Sequence, residues 1–286
     1  MNPIGANLWI WDSPVTTGVI RNRAPLVLAM GFDLIELPLE NPGDWDADLV
    51  RPILEDLGLA ASVCAAMAPG RDLTSGDANI VASTQNYLRI CIDAAAGVGA
   101  RVIAGPIYAP TGVTGSRTPD ERRDAIAAVA ENLGPVLDHA RARGVRLAVE
   151  PLNRFETSLF NTVEQTLELI RIVDRPELGL LLDTFHMNIE ERSQPAAIRA
   201  ADASLFHFHA CGNDRGAPGQ DAIDWPGIRS ALRDIDYRGA ISIESFTSVN
   251  RTIATAASIW RDLASSQDVL AASGLQFLSK LFTSDD

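Results

Sequence analysis

Four residues carry the chemistry this sequence can do: Glu150, Asp183, His209 and Glu244. Each closes a short run rich in apolar residues: Val145–Glu150, Leu180–Asp183, Ser204–His209 and Ala240–Glu244. Three carboxylates gathered at one point repel, and their ionised forms are tolerable together only around a cation. Carboxylate oxygens with one imidazole suit Mn²⁺, Mg²⁺ or Co²⁺, with about two of six octahedral positions left for water or substrate oxygens; they do not suit a thiolate-bound zinc or an iron–sulfur cluster. Taken singly, each residue has an ordinary reading. A strand-end glutamate can be a solvated loop carboxylate, and a histidine such as His209 can be a satisfied interior group. Together, on one parity at successive strand ends, they favour a metal centre. His207 lies one layer lower and is assigned to hydrogen-bonded core or to support behind the ligands. Glu156, His186 and Arg215 lie on the segments above, six, three and six residues past Glu150, Asp183 and His209. Their ordinary readings are a helix cap for His186 and a surface salt bridge for Arg215.

The elements that must deliver these side chains alternate along the chain. Strands are expected at Ile4–Trp11, Phe32–Leu37, Leu59–Cys64 and Ala100–Gly105, and then at the four runs above. Helices are expected over Pro14–Met30, Asp48–Leu57, Asp77–Val98, Thr118–Arg143, Thr162–Val173, Pro195–Ala201 and Pro226–Ile235, with a helical tail over Thr252–Phe282. Thr118-Pro119-Asp120-Glu121 reads as an N-cap, a first-position proline and first-turn acids, and Gly144 as a stop. Polar residues after Asp183 are expected to open a loop. Eight strand–helix units without a composition break predict one (β/α)₈ TIM barrel over residues 1–286 with a C-terminal helical tail. An open doubly wound sheet is the runner-up, but no GxGxxG or GxxxxGK[ST] phosphate loop supports it. Strand parity strengthens the barrel reading. Glu150, Ala148 and Arg146 share a face, as do Asp183 and Leu181, His209 and His207, and Glu244 and Ser242. The alternate residues, including Phe206 and Phe208, are then expected to face the helices.

The 286 residues carry a formal net charge of -13, which disfavours a nucleic-acid partner. Three scattered cysteines argue against a disulfide framework and fit a reducing compartment. The N-terminus lacks a basic region followed by an apolar one, and no apolar run approaches the length of a membrane span. The expectation is a cytoplasmic protein without a membrane partner.

Around the candidate ligands the chain resembles a known family. Glu150-Pro151-Leu152-Asn153-Arg154-Phe155-Glu156, Leu182-Asp183-Thr184-Phe185-His186-Met187-Asn188-Ile189-Glu190-Glu191, Phe208-His209, Glu244-Ser245-Phe246 and Ser258-Ile259-Trp260-Arg261-Asp262-Leu263 are similar to the D-tagatose/D-psicose (allulose) 3-epimerases. Those belong to the xylose isomerase-like sugar isomerase/epimerase superfamily. The resemblance implies a divalent cofactor, Mn²⁺ first, with Mg²⁺ or Co²⁺ possible. It implies Glu150, Asp183, His209 and Glu244 as ligands, with Glu150 and Glu244 also the catalytic acid–base pair. It implies Glu156, His186 and Arg215 at the O1/O2 end of a bound ketose, and a homodimer or homotetramer. Asn7 stands where the family often has an aromatic residue, and Gly212 where it often has a glutamate. Both lie near the substrate, so the resemblance leaves the preferred sugar open. It also leaves room for an aldose–ketose isomerase, an inosose-type dehydratase, a C-glycoside-cleaving subunit, or a metal-stabilised sugar-binding protein without turnover. An endonuclease-like activity ranks low, since it would want more histidines and a basic groove.

Overall fold

The computed structural model describes residues 2–283. The chain alternates β1 (Ile4–Asn7), α1 (Thr17–Met30), β2 (Leu34–Pro38), α2 (Ala47–Leu57), β3 (Ala60–Cys64), α3 (Ala78–Gly97), β4 (Val102–Gly105) and α4 (Pro119–Arg143). It continues through β5 (Arg146–Val149), α5 (Val163–Val173), β6 (Leu178–Asp183), α6 (Thr184–Glu190), α7 (Gln194–Ala201), β7 (Leu205–Ala210), α8 (Trp225–Asp234), β8 (Ile241–Ile243), α9 (Arg251–Ala256) and α10 (Gln267–Thr283). The eight strands pair in parallel and in sequence order, and β8 closes on β1. The expected TIM barrel is the observed fold.

Local chemistry explains the boundaries. Thr118 and Glu121 form a reciprocal capping box at the start of α4, and Gly144 ends it in the left-handed conformation. Leu180 and Leu182 join the large apolar core, which Val149, Phe208 and Ile243 also share, while Leu181 joins Ala104 and Ala148 inside the barrel.

Several expectations need correction. The first strand stops at Asn7 rather than Trp11, because the Asn7 side chain accepts the Trp9 N–H and starts a 3₁₀ turn over Leu8–Ile10. Helix α1 starts at Thr17, capped by Thr16, not at Pro14. The segment after β6 is no loop: Asp183 itself caps α6 by accepting the Phe185 N–H at 2.7 Å. The tail is broken, with residues 257–266 separating α9 from α10. Phe206 does not face the helices. A register shift between Leu180 and Leu181 lets it pack on the barrel-interior cluster. There Arg146 lies over its ring at 4.1 Å. Gly179 makes room for it, since a Cβ there would meet the Phe206 ring at 2.5 Å.

Candidate metal centre and active-site cavity

The four strand-end residues meet. Asp183 is the last residue of β6, and His209 the last but one of β7, directly opposite it in register. Glu150 and Glu244 lie one residue beyond β5 and β8. Their backbone N–H groups still bond to Gly105 O and Ala210 O in the neighbouring strands. Each of the four offers one ligand atom, and these atoms all lie within 4.8 Å of one another. All four are buried.

The donor set fits a divalent cation. Glu150 Oε1 and His209 Nδ1 are buried and make no hydrogen bond to any described residue. Glu150 Oε1 lies 3.6 Å from His186 Nε2, and His209 Nδ1 lies 3.4 Å from Glu244 Oε2. Orphaned acceptors of this kind are costly in a barrel core unless something binds them. The ligand chemistry is oxygen and nitrogen. Burial, then the nearby carboxylates, push the thiols of Cys64 and Cys211 well above their usual range, so neither is a thiolate.

Positive charge from the protein itself also enters the cluster. Arg215, on the β7–α8 segment, donates through Nη1 to Asp183 Oδ2 at 2.6 Å and to Glu244 Oε2 at 3.0 Å. Its backbone φ is +67°, in the left-handed region. The surface salt bridge is thereby ruled out for this residue, which is only 5% exposed. His186, on α6, accepts the Asn153 backbone N–H at Nδ1 (3.1 Å). Burial, with Arg215 beside it, pushes its pKa down to about 3, so the ring is neutral. Nε2 lies 2.9 Å from Arg215 Nη2. Arg215, which can only donate, thus faces this nitrogen, and both groups border the cavity where a carbonyl or enolate oxygen would sit. Glu156 accepts from Asn153 Nδ2 at 2.7 Å.

The two glutamates differ electrostatically. Burial, then repulsion from Glu244, hold the Glu150 carboxyl well above the usual range. Burial works the same way on Glu244, but His209 and Arg215 outweigh it and hold its carboxyl below the usual range. The two carboxylates thus sit in unequal surroundings, one less readily ionised than the other. Both open into a cavity of about 590 Å³ at the barrel mouth, together with Glu156, His186 and Arg215. Asp183 and His209 are not part of its lining. Its apolar walls include Trp9, Met67, Phe246 and Ile253.

A family description, xylose isomerase-like TIM barrel, matches residues 25–278. The chain belongs to this family. A probable ketose 3-epimerase of Synechocystis sp. is 36% identical over 252 residues, 88% of this chain and 87% of that protein. An L-ribulose 3-epimerase of Methylomonas sp. is 31% identical over 281 residues, 97% of each. The crystal structure of a D-allulose 3-epimerase from Methylomonas sp., in complex with D-allulose, superposes with a TM-score of 0.89 at 30% identity, covering 98% of this chain and 96% of that one. The family's relatives are sugar epimerases, isomerase-class enzymes.

Sequence reasoning missed Glu36 and Asn153. Glu36 sits mid-strand in β2, fully buried, against His207 and His209. An ionisable residue on a buried strand was the available signal. Asn153 holds both His186 and Glu156, and only its place in the segment after Glu150 hinted at that. His207 was read as supporting core, and it lies against Glu36 at 2.7 Å.

Proposed function

We propose that the protein is a divalent-metal-dependent ketose 3-epimerase acting on a free ketose of the D-tagatose, D-fructose/D-psicose or L-ribulose type. One observation carries the reading: two glutamates from strands β5 and β8 open into one cavity above Asp183 and His209, where each can exchange a proton with a bound sugar. Glu150, Asp183, His209 and Glu244 would hold the ion, with Mn²⁺ first and Mg²⁺ or Co²⁺ as alternatives. When bound, it supplies Lewis-acid stabilisation of the charge that develops when a proton leaves carbon beside a carbonyl.

The protein's own groups do the rest. Glu244 takes the C3 proton from one face of the ketose, and Glu150 returns a proton to the other face, which inverts C3. In the reverse direction the two exchange roles. Each proton transfer contributes about 10²–10⁴-fold. Arg215 donates to the O2 oxyanion of the enediolate, with His186 beside it. Glu156, anchored by Asn153, accepts a hydroxyl at the O1 end. The apolar walls exclude water from the reacting carbon.

A panel of free ketoses in heavy water with Mn²⁺ tests this. The expected result is epimerisation with deuterium at C3. Deuterium at C1 would make the protein an aldose–ketose isomerase, and no turnover of any ketose would overturn the enzyme reading.

We also propose a homodimer or homotetramer. The largest exposed apolar side chains, Phe155 at 73% and Trp260 at 85%, lie on segments of the catalytic face, not on helix faces. Trp260→Glu should give a smaller species in light scattering. The free, buried Cys64, Cys91 and Cys211 support a cytoplasmic setting.

A further inference from the structure

We propose that Glu36 is a positioning residue: it takes the Nε2–H of His209 and so fixes the tautomer that presents Nδ1 to the divalent ion. The inference rests on the metal-dependent reading above and extends it to a carboxylate outside the ligand set.

The barrel register puts Glu36 there. Its neighbours in register are Asn7 on β1 and Ser62 on β3. Glu36 is fully buried, and a bare carboxylate at such depth would be strongly disfavoured. Four groups converge on it instead. Oε1 accepts from Ser62 Oγ at 3.0 Å and lies 2.7 Å from His207 Nε2. Oε2 accepts from Asn7 Nδ2 at 3.1 Å and pairs with His209 Nε2 at 2.8 Å.

A carboxylate only accepts, so the shared proton belongs to His209 Nε2. Nδ1 is then the nitrogen turned toward Glu150, Asp183 and Glu244. Asn7 links the two layers, because its Nδ2 also reaches Glu244 Oε1 at 3.3 Å. Glu36, His207 and His209 could instead be read as a second cation site. Their spacing argues otherwise. The 2.8 Å separation of His209 Nε2 from Oε2 is that of a shared proton. Two ligand atoms on one tetrahedral cation with bonds of about 2.0–2.1 Å sit roughly 3.3 Å apart.

Calorimetric titration of chelator-stripped protein with Mn²⁺ tests the assignment. Glu36→Leu should bind about 10–100-fold more weakly than the native protein. Glu36→Gln should bind close to native, because its amide oxygen still accepts from Nε2–H. A second measurement needs no variant at Glu36: ¹⁵N-histidine NMR of the native Mg²⁺ form, with the His209 signal identified by its loss in His209→Asn. The proton should be on Nε2. A proton on Nδ1, or native-like Mn²⁺ affinity in Glu36→Leu, would overturn the role of Glu36 and leave the epimerase reading standing. A native protein that takes up no Mn²⁺, Mg²⁺ or Co²⁺ would overturn both.

Discussion

The two halves of the barrel are built differently. Strands β5–β8 end in Glu150, Asp183, His209 and Glu244, whose ligand atoms converge within 4.8 Å. Strands β1–β4 place Asn7, Glu36, Ser62, Cys64 and Gly105 inside or at the rim, and none of these belongs to that convergent set. Glu36 supports the ligand half from across the barrel, bonded to His209. Elsewhere the first half is small or neutral. Gly105 adopts φ +137°, and a Cβ there would stand 2.1 Å from the Ala65 carbonyl oxygen. One half thus supplies the converging ligands, while the other, apart from the Glu36 carboxylate, supplies hydrogen bonds and close backbone packing. The lesson is that a metal centre in a barrel needs its reactive groups on a few adjacent strands and quiet partners on the rest.

The comparison can be broken most sharply in the ligand half. Glu150→Gln and Glu244→Gln should each lower kcat for C3 epimerisation by about 10²–10⁴-fold while Mn²⁺ still binds. Steady-state kinetics beside a metal titration check this, and near-native kcat in either variant would remove that glutamate from the acid–base pair. Arg215→Met comes next. It strips the counter-charge from Asp183 and Glu244, so chelator-treated protein should lose about 3–5 kcal/mol in urea unfolding. Adding Mn²⁺ should recover part of that loss. An equal loss with and without Mn²⁺ would mean that Arg215 and the ion do not share those carboxylates.

Apart from Glu36, the quiet half should respond through stability alone. Gly105→Ala meets both strain at positive φ and the Ala65 carbonyl. It should cost at least about 1–3 kcal/mol in denaturant unfolding, and a neutral result would show that the β3–β4 rim can relax. Ser62→Ala removes one hydrogen bond to Glu36 and should cost about 0.5–1.5 kcal/mol, with Mn²⁺ affinity near native. A large drop in affinity would mean that the support of Glu36 is shared more evenly than its bonds suggest.

The two halves also differed in how legible they were. Glu150, Asp183, His209 and Glu244 could be read because each ends an apolar run on the inward parity, and a closed barrel brings such ends together. The cap at Thr118 and the stop at Gly144 were equally readable, being local chemistry. Glu36 was not, since a glutamate inside a strand carries no local mark of the histidines it will meet 171 and 173 residues later. The 3₁₀ turn at Leu8–Ile10 depended on one side-chain bond from Asn7. The inward turn of Phe206 depended on a register shift between two strands. The break after α9 reflects where that segment goes: Ala256 and Ala257 line the cavity, and Ser258 adopts φ +56°, which no helix tolerates. Each of these is a tertiary contact overriding a local pattern.

Anomalous scattering from a crystal grown with Mn²⁺ tests the centre most directly. The account predicts a single strong peak held by Glu150, Asp183, Glu244 and the Nδ1 atom of His209, with the Nε2 atom still on Glu36. A peak held by other residues, or a fully loaded crystal with these four side chains left unligated, would contradict it.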